Sequence, residues 1–205
     1  MSKTVQFRDF EERDIDFIYK CKNDEKLNSL IVGNWHPFTL EEAADWVHGC
    51  MGEHDSYRFW AICTNDEEKR IIGWVSLSQI DFHNKSAFFH GIVIADPRYR
   101  DGLAEIEVYS FVYNVAFIQM GLDVVFGASL LRQGDSQLMS KAFYCERDGI
   151  ESRVVCRNGI WYDKSYSHLY KKDYLQHLEN GDYETMSVIK RIIKLKKLAR
   201  NENIR

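Results

Sequence analysis

Apolar and polar positions alternate with a period that changes several times along the chain, and each change marks an element. Val5-Gln6-Phe7-Arg8 reads as a short strand. From Asp14 the spacing becomes helical, with Ile15, Ile18 and Tyr19 on one face. Asn34 to Phe38 is a loop carrying three aromatic rings. Thr39 followed by Glu42 forms a capping box that opens a helix through Ala43, Trp46, Val47 and Cys50. Arg58–Cys63 and Ile71–Leu77 are strand-like and flank the charged turn Asn65–Glu68, which predicts an antiparallel hairpin. Ala87–Ile94 adds a third strand. A long helix is expected from Leu103 to Met120, stopped by Gly121. Val124–Ala128 is almost wholly apolar, as expected of a strand buried on both faces. A shorter helix at Ser136–Tyr144 precedes strands at Glu151–Cys156 and Tyr166–Tyr170. A helical crossover after a three-stranded meander implies a mixed sheet in an α/β chain.

The 205 residues suit one sizeable domain, and 45% hydrophobic with 28% charged residues excludes general disorder. At 14%, aromatic residues are frequent, so a core or a cleft is rich in rings. The apolar runs are too short and too interrupted to span a bilayer. The first fourteen residues lack the basic-then-apolar layout of a secretory leader, and five widely spaced cysteines without a CxxC suit reduced thiols, so a cytoplasmic location is expected. Residues 185–205 carry seven Lys or Arg and one acid, net +6, which leaves −10 of the overall −4 for the rest. An acidic body argues against nucleic acid as a partner.

Chemistry concentrates in Gly91–Gly102, where a strand meets a short loop containing Pro97 and a long helix begins at once. The free N–H groups and positive dipole end of such a helix suit a pyrophosphate, and Arg98 and Arg100 can add charge-assisted contacts. The bland alternative is a plain β–α connection.

The string GIVIADPRYR (Gly91–Arg100) resembles the fourth strand and following loop of the GNAT N-acetyltransferases, in particular the branch acting on ribosomal proteins, polyamines and amino-sugar nucleotides. VQFRDFEERDIDFIYKCKND resembles that branch's first strand and helix, PFTLEEAADWV its second helix, RIIGWVSL its third strand, LDVVFGAS its fifth, and NGIWYDKSYSHLYKKDY its closing hairpin. Their order and spacing agree over residues 5–174. The resemblance implies a GNAT-like α/β (α+β) fold: a mixed, mostly antiparallel, six- to seven-stranded sheet with helices on both faces. Residues 1–174 would form the acetyltransferase domain and residues 175–205 a basic helical tail.

It further implies acetyl transfer from acetyl-CoA to a small-molecule or peptide amine (an amino-sugar nucleotide, a polyamine or a protein N-terminus), without a metal. Val93, Ile94 and Ala95 would pair with the pantetheine arm, and Arg100, Asp101, Gly102, Leu103, Ala104 and Ser136 would serve the cofactor end. Trp35, His36, Phe38 and Tyr166 would line the acceptor pocket, although the first three can equally anchor their loop to the body. His90 is a candidate proton relay or a satisfied strand histidine. Tyr144 is a candidate general acid or a core ring. The family's phosphate loop, Arg-Gly-x-Gly-x-Gly/Ala, here reads Arg100-Asp101-Gly102-Leu103-Ala104-Glu105. Two acids near the phosphates should weaken binding, so a catalytically weakened scaffold is the alternative. His48, Cys50 and His54 match no structural-zinc spacing and are set aside.

In the tail, Val188, Ile192, Leu195 and Ala199 form an apolar stripe flanked by Ile189, Ile193 and Leu198, with Lys190, Arg191, Lys194 and Lys197 on the far side. Residues 188–199 suit a membrane surface or a partner, or a helix packed on its own acidic body or across a homodimer interface.

Overall fold

The computed structural model describes residues 3–29, 36–157 and 159–202, with Glu202 described by its backbone alone. In chain order the strands are β1 (Val5–Arg8), β2 (Tyr57–Thr64), β3 (Ile71–Asp81), β4 (Ser86–Ile94), β5 (Val124–Leu130), β6 (Glu146–Arg157) and β7 (Ile160–Tyr170). The α-helices are α1 (Ile15–Lys22), α2 (Glu25–Asn28), α3 (Leu40–Cys50), α4 (Leu103–Asn114), α5 (Gly134–Ala142), α6 (Lys171–Glu179) and α7 (Thr185–Glu202). The sheet has seven strands in the order β1-β2-β3-β4-β5-β7-β6. It is antiparallel in the β1–β2, β2–β3, β5–β7 and β7–β6 pairs and parallel between β4 and β5, as the crossover implies. Two compact units divide the chain, residues 1–80 with 90–108 and residues 81–89 with 109–205.

In the first unit, α1 and α3 lay Ile18, Cys21, Ala43, Val47 and Cys50 against Ala61, Cys63, Ile71 and Trp74 of β2 and β3. Each fully buried aliphatic side chain contributes roughly 1.5–3 kcal/mol. The Thr39–Glu42 capping box forms as the sequence implies, with Thr39 Oγ1 accepting from Glu42 N at 3.1 Å and Glu42 Oε2 accepting from Thr39 N at 2.7 Å. The inward face of α1 differs from expectation: Ile18 and Cys21 are buried, while Tyr19 is 38% exposed. Before α1 the chain makes a 3₁₀ turn at Glu12–Asp14 that buries the Asp14 carboxylate. Arg8 meets it in a two-pronged ion pair, both distances 2.7 Å, so the buried charge is compensated. β3 is buried at every position from Ile71 to Leu77, which requires cover on both faces and explains a run that is apolar apart from Ser76.

The second unit explains much of the aromatic content. Phe89, Tyr109, Tyr113, Phe117, Phe143, Tyr174 and Tyr183 form one continuous ring cluster with centroid separations of 4.9–6.3 Å. The helix expected to run from Leu103 to Met120 changes geometry part-way, because Val115–Gln119 is a π-helical turn. Gly121, at φ +71°, follows it in the left-handed conformation glycine tolerates. β5 is not buried on both faces, since Phe126 is 39% exposed and only Val125 and Leu130 are buried. β6 and β7 extend well beyond the expected 151–156 and 166–170, and pair along most of their length around Gly159. The helix expected to reach Tyr144 ends at Ala142.

The tail helix α7 packs against α5 within the same unit. Val188 is fully buried, whereas Ile193 and Leu198 are half exposed. Arg191 corrects the expected helical wheel. Instead of facing away with the lysines it turns inward, its guanidinium donating to the Ala142 carbonyl at 2.5 Å and to the Asp182 carboxylate at 3.2 Å. The carbonyl that ends α5 and the Asp182 carboxylate together draw the cation inward. Among the described residues, no helix is long and apolar enough to cross a membrane.

Candidate active site

The segment expected to carry the chemistry lies, from His90 to Val108, in the first unit. Two glycines shape its strand, one within it and one on the neighbouring β3. Gly91 has φ +59°, a left-handed conformation that kinks β4. At Gly73 of β3 a Cβ would stand 2.0 Å from the Val93 carbonyl oxygen, so only a residue without a side chain admits the approach. Ser76 Oγ donates to the His90 carbonyl at 2.8 Å, and the Ile72 carbonyl accepts from Ala95 N at 2.8 Å. Val93, Ile94 and Ala95 are thus held in a distorted strand end, partly exposed, with Val93 and Ala95 packed against the α1–α3 core cluster.

The loop after β4 is braced by charge. Asp96 accepts from Arg98 N at 3.1 Å, which starts a 3₁₀ turn at Pro97–Tyr99. Arg98 and Arg70 both pair with the Asp96 carboxylate, at 2.7 and 3.2 Å, and together hold its pKa far below the usual carboxylate range. Arg98, expected to face phosphate, is committed to this turn. Arg100 donates to the Ile94 carbonyl at 2.7 Å and to the Ala95 carbonyl at 2.8 Å, so it ties the loop back onto the strand. Gly102, at φ +93°, lets the chain turn into α4. The first N–H of that helix, Leu103 N, donates to Asp101 Oδ1 at 2.9 Å. A carboxylate therefore stands at the helix end where an anion would bind. Ala104 is fully buried, and Leu103 is half-buried.

On the acceptor side, Phe38 is fixed to the end of α1 by Asn23, which accepts from Phe38 N at 3.1 Å and donates to Phe38 O at 3.0 Å. His36 is two-thirds exposed, 5.2 Å from the Phe38 ring and 3.5 Å from the Glu42 carboxylate. Trp35 lies outside the described residues. His90 is exposed one residue before the Gly91 kink.

The other candidates belong to the second unit. Ser136 is half-buried in the first turn of α5, its carbonyl accepting from Ser140 Oγ at 3.0 Å. Tyr144 has φ +61° and is sandwiched between the His177 ring, stacked at 3.5 Å, and the Arg191 guanidinium 4.0 Å from its centroid. Burial raises its phenol pKa. Tyr166 donates to Glu151 Oε2 at 2.7 Å, beneath the Lys164 ammonium. One cluster was not foreseen: the Lys22 ammonium faces the rings of Phe38, Trp46 and Trp74. Nothing in residue spacing announced it, because the three rings come from a loop, a helix and a strand. Among the described residues no group of three or more His, Cys, Asp or Glu is placed to hold a metal.

Residues 4–139 match the family model of the acetyltransferase (GNAT) domain. The chain belongs to the GNAT acetyltransferase family. Its kinked fourth strand and the helix that follows are parts of a GNAT fold shared with solved structures. The spermidine N-acetyltransferase of Vibrio cholerae, solved in complex with CoA and spermine, superposes with a TM-score of 0.73 over 84% of this chain and 98% of its own, at 18% identity. A GNAT-family acetyltransferase from Bacillus anthracis superposes with a TM-score of 0.69 over 84% and 98%, at 17% identity. Among curated proteins, none matches the GNAT chain in sequence.

Proposed function

We propose that this protein transfers an acetyl group from acetyl-CoA to a primary amine, with a polyamine or another cationic amine as the acceptor class. The observation that carries the reading is the distorted end of β4. Gly91 and Gly73 hold Val93–Ala95 in a kinked, partly exposed backbone that runs directly into a loop and a helix N-terminus. Peptide groups along that strand suit the amides of pantetheine, and the start of α4 suits a pyrophosphate. The Vibrio cholerae relative, crystallised with CoA and spermine, supports both co-substrates.

In the transfer, the acceptor nitrogen attacks the thioester carbonyl, the C–N bond forms, the C–S bond breaks, and the amine proton ends on the departing thiolate. His90, exposed beside the kink, is our candidate for passing that proton. For Tyr144, the stack between His177 and Arg191 favours packing over the general-acid role. Calorimetry with acetyl-CoA and CoA, followed by thiol release across an amine panel, tests the reading. Absence of CoA binding at millimolar ligand overturns it.

A second reading rests on Asp101, whose carboxylate already caps α4. A chain in which that cap excludes the pyrophosphate would be a scaffold, with the half-exposed Ile193 and Leu198 of basic helix α7 available to a partner or a membrane surface. It requires at most weak CoA binding and no turnover with any amine. All five cysteines are free, which supports a reducing, cytoplasmic setting for either reading.

A further inference from the structure

The Lys22 ammonium has no part in the chemistry described so far, yet its surroundings are built for a cation. Lys22 Nζ lies 4.5 Å from the Trp46 ring centroid, 5.3 Å from Phe38 and 5.4 Å from Trp74. All three fall within the roughly 6 Å range in which a ring face attracts a cation. The rings are fixed by their own contacts. Trp46 meets Trp74, Phe10 and Phe59 edge-on at 5.5–5.7 Å, and Asn23 pins the backbone of Phe38. Burial pushes the Lys22 amine below its ordinary pKa of 10.5, so the group is partly stripped of water. The cage shares its core with the strand assigned to pantetheine. Phe38 and Trp46 pack against the cluster that contains Trp74, and so do Val93 and Ala95.

We propose that the cage of Phe38, Trp46 and Trp74 is an ammonium-binding pocket of the acceptor site, and that Lys22 is its resident occupant, displaced when a cationic amine binds. Three ring faces recognise charge and size together, so they select a small alkylammonium over a neutral alcohol of the same shape. Lys22 is tethered and competes at high effective concentration, which makes the wild-type pocket weak for external amines. The link to acyl transfer rests on the function proposed above, whereas the cage is tested without acetyl-CoA.

The test titrates the full chain with n-butylammonium chloride and, separately, with n-butanol, following tryptophan fluorescence, with circular dichroism confirming the fold. K22A is expected to bind n-butylammonium at least tenfold tighter than wild type, with no saturable response to n-butanol. K22M retains the stem without the charge and is expected to gain at least threefold, which keeps the test decisive if K22A does not fold. F38L in either background should lose at least fivefold. Equal affinity in wild type and the Lys22 variants, or an equal response to n-butanol, overturns the proposal. CoA calorimetry on the same proteins separates the two claims, since loss of CoA binding throughout would overturn the acyltransferase reading and leave the cage result standing.

Discussion

In the proposed acyltransferase, the Asp101 carboxylate is expected to set the strength of CoA binding, and D101N isolates its effect. Asp101 Oδ1 accepts from Leu103 N at 2.9 Å, the first N–H of α4, in an exposed position. A phosphate seeking the same helix end would lie within about 4 Å of that carboxylate, where two unit charges in water-like surroundings repel by about 1 kcal/mol. A pyrophosphate carries about two charges at that end, so the repulsion amounts to roughly 1–2 kcal/mol, or roughly five- to thirtyfold in affinity. Asparagine caps a helix about as well as aspartate, so the helix itself should hold. The assay is calorimetry of CoA binding to wild type and D101N at low salt and again at about 0.5 M salt, where screening shrinks an exposed interaction. D101N should bind roughly tenfold tighter at low salt and show a smaller advantage at high salt. An unchanged or weakened affinity, or a gain independent of salt, would refute the electrostatic argument.

G73A places a Cβ 2.0 Å from the Val93 carbonyl, and should destabilise the protein by roughly 3 kcal/mol or more in urea unfolding; a loss below about 0.5 kcal/mol would show that β3 and β4 relax freely. Cys156 is exposed, while burial pushes the thiols of Cys21 and Cys50 up to about 12 and that of Cys63 up to about 11. A thiol reagent near pH 8 should therefore label Cys156 first and these three only on unfolding, as read by peptide mapping. The lowered Lys22 pKa means that the unfolded chain holds more protons between the folded value and 10.5, so stability should rise with pH across that window. The difference in urea midpoint between wild type and K22M, followed from pH 7.5 to 10.5, should grow in favour of wild type, and a flat difference would contradict the assigned burial.

The elements were largely legible because their signals are local. Val5–Arg8, the Thr39–Glu42 capping box, the hairpin around Asn65–Glu68 and the Gly121 stop each depend on residues a few positions apart. The parallel β4–β5 pair also followed, since a helical crossover leaves little other choice. Burial was less legible. Phe126 has an apolar neighbourhood in sequence yet faces outward, and Arg191 has a basic one yet turns inward, because each answers to groups brought near by folding.

The candidate site divides in the same way. The strand-loop-helix order of Gly91–Ala104, the acidic residues in the loop expected to face phosphate and the membership of the GNAT family were all carried by residue order, which is why they could be read without coordinates. Which charges are already spent was not. Arg98 is committed to Asp96, Arg100 to the Ile94 and Ala95 carbonyls, and Asp101 to Leu103 N. The Lys22 cage is the extreme case, with rings from positions 38, 46 and 74 converging on one ammonium. Local periodicity carries information over a few residues, whereas the partner of a charge is chosen by the packing of elements far apart in the chain, and only the folded structure brings them within reach.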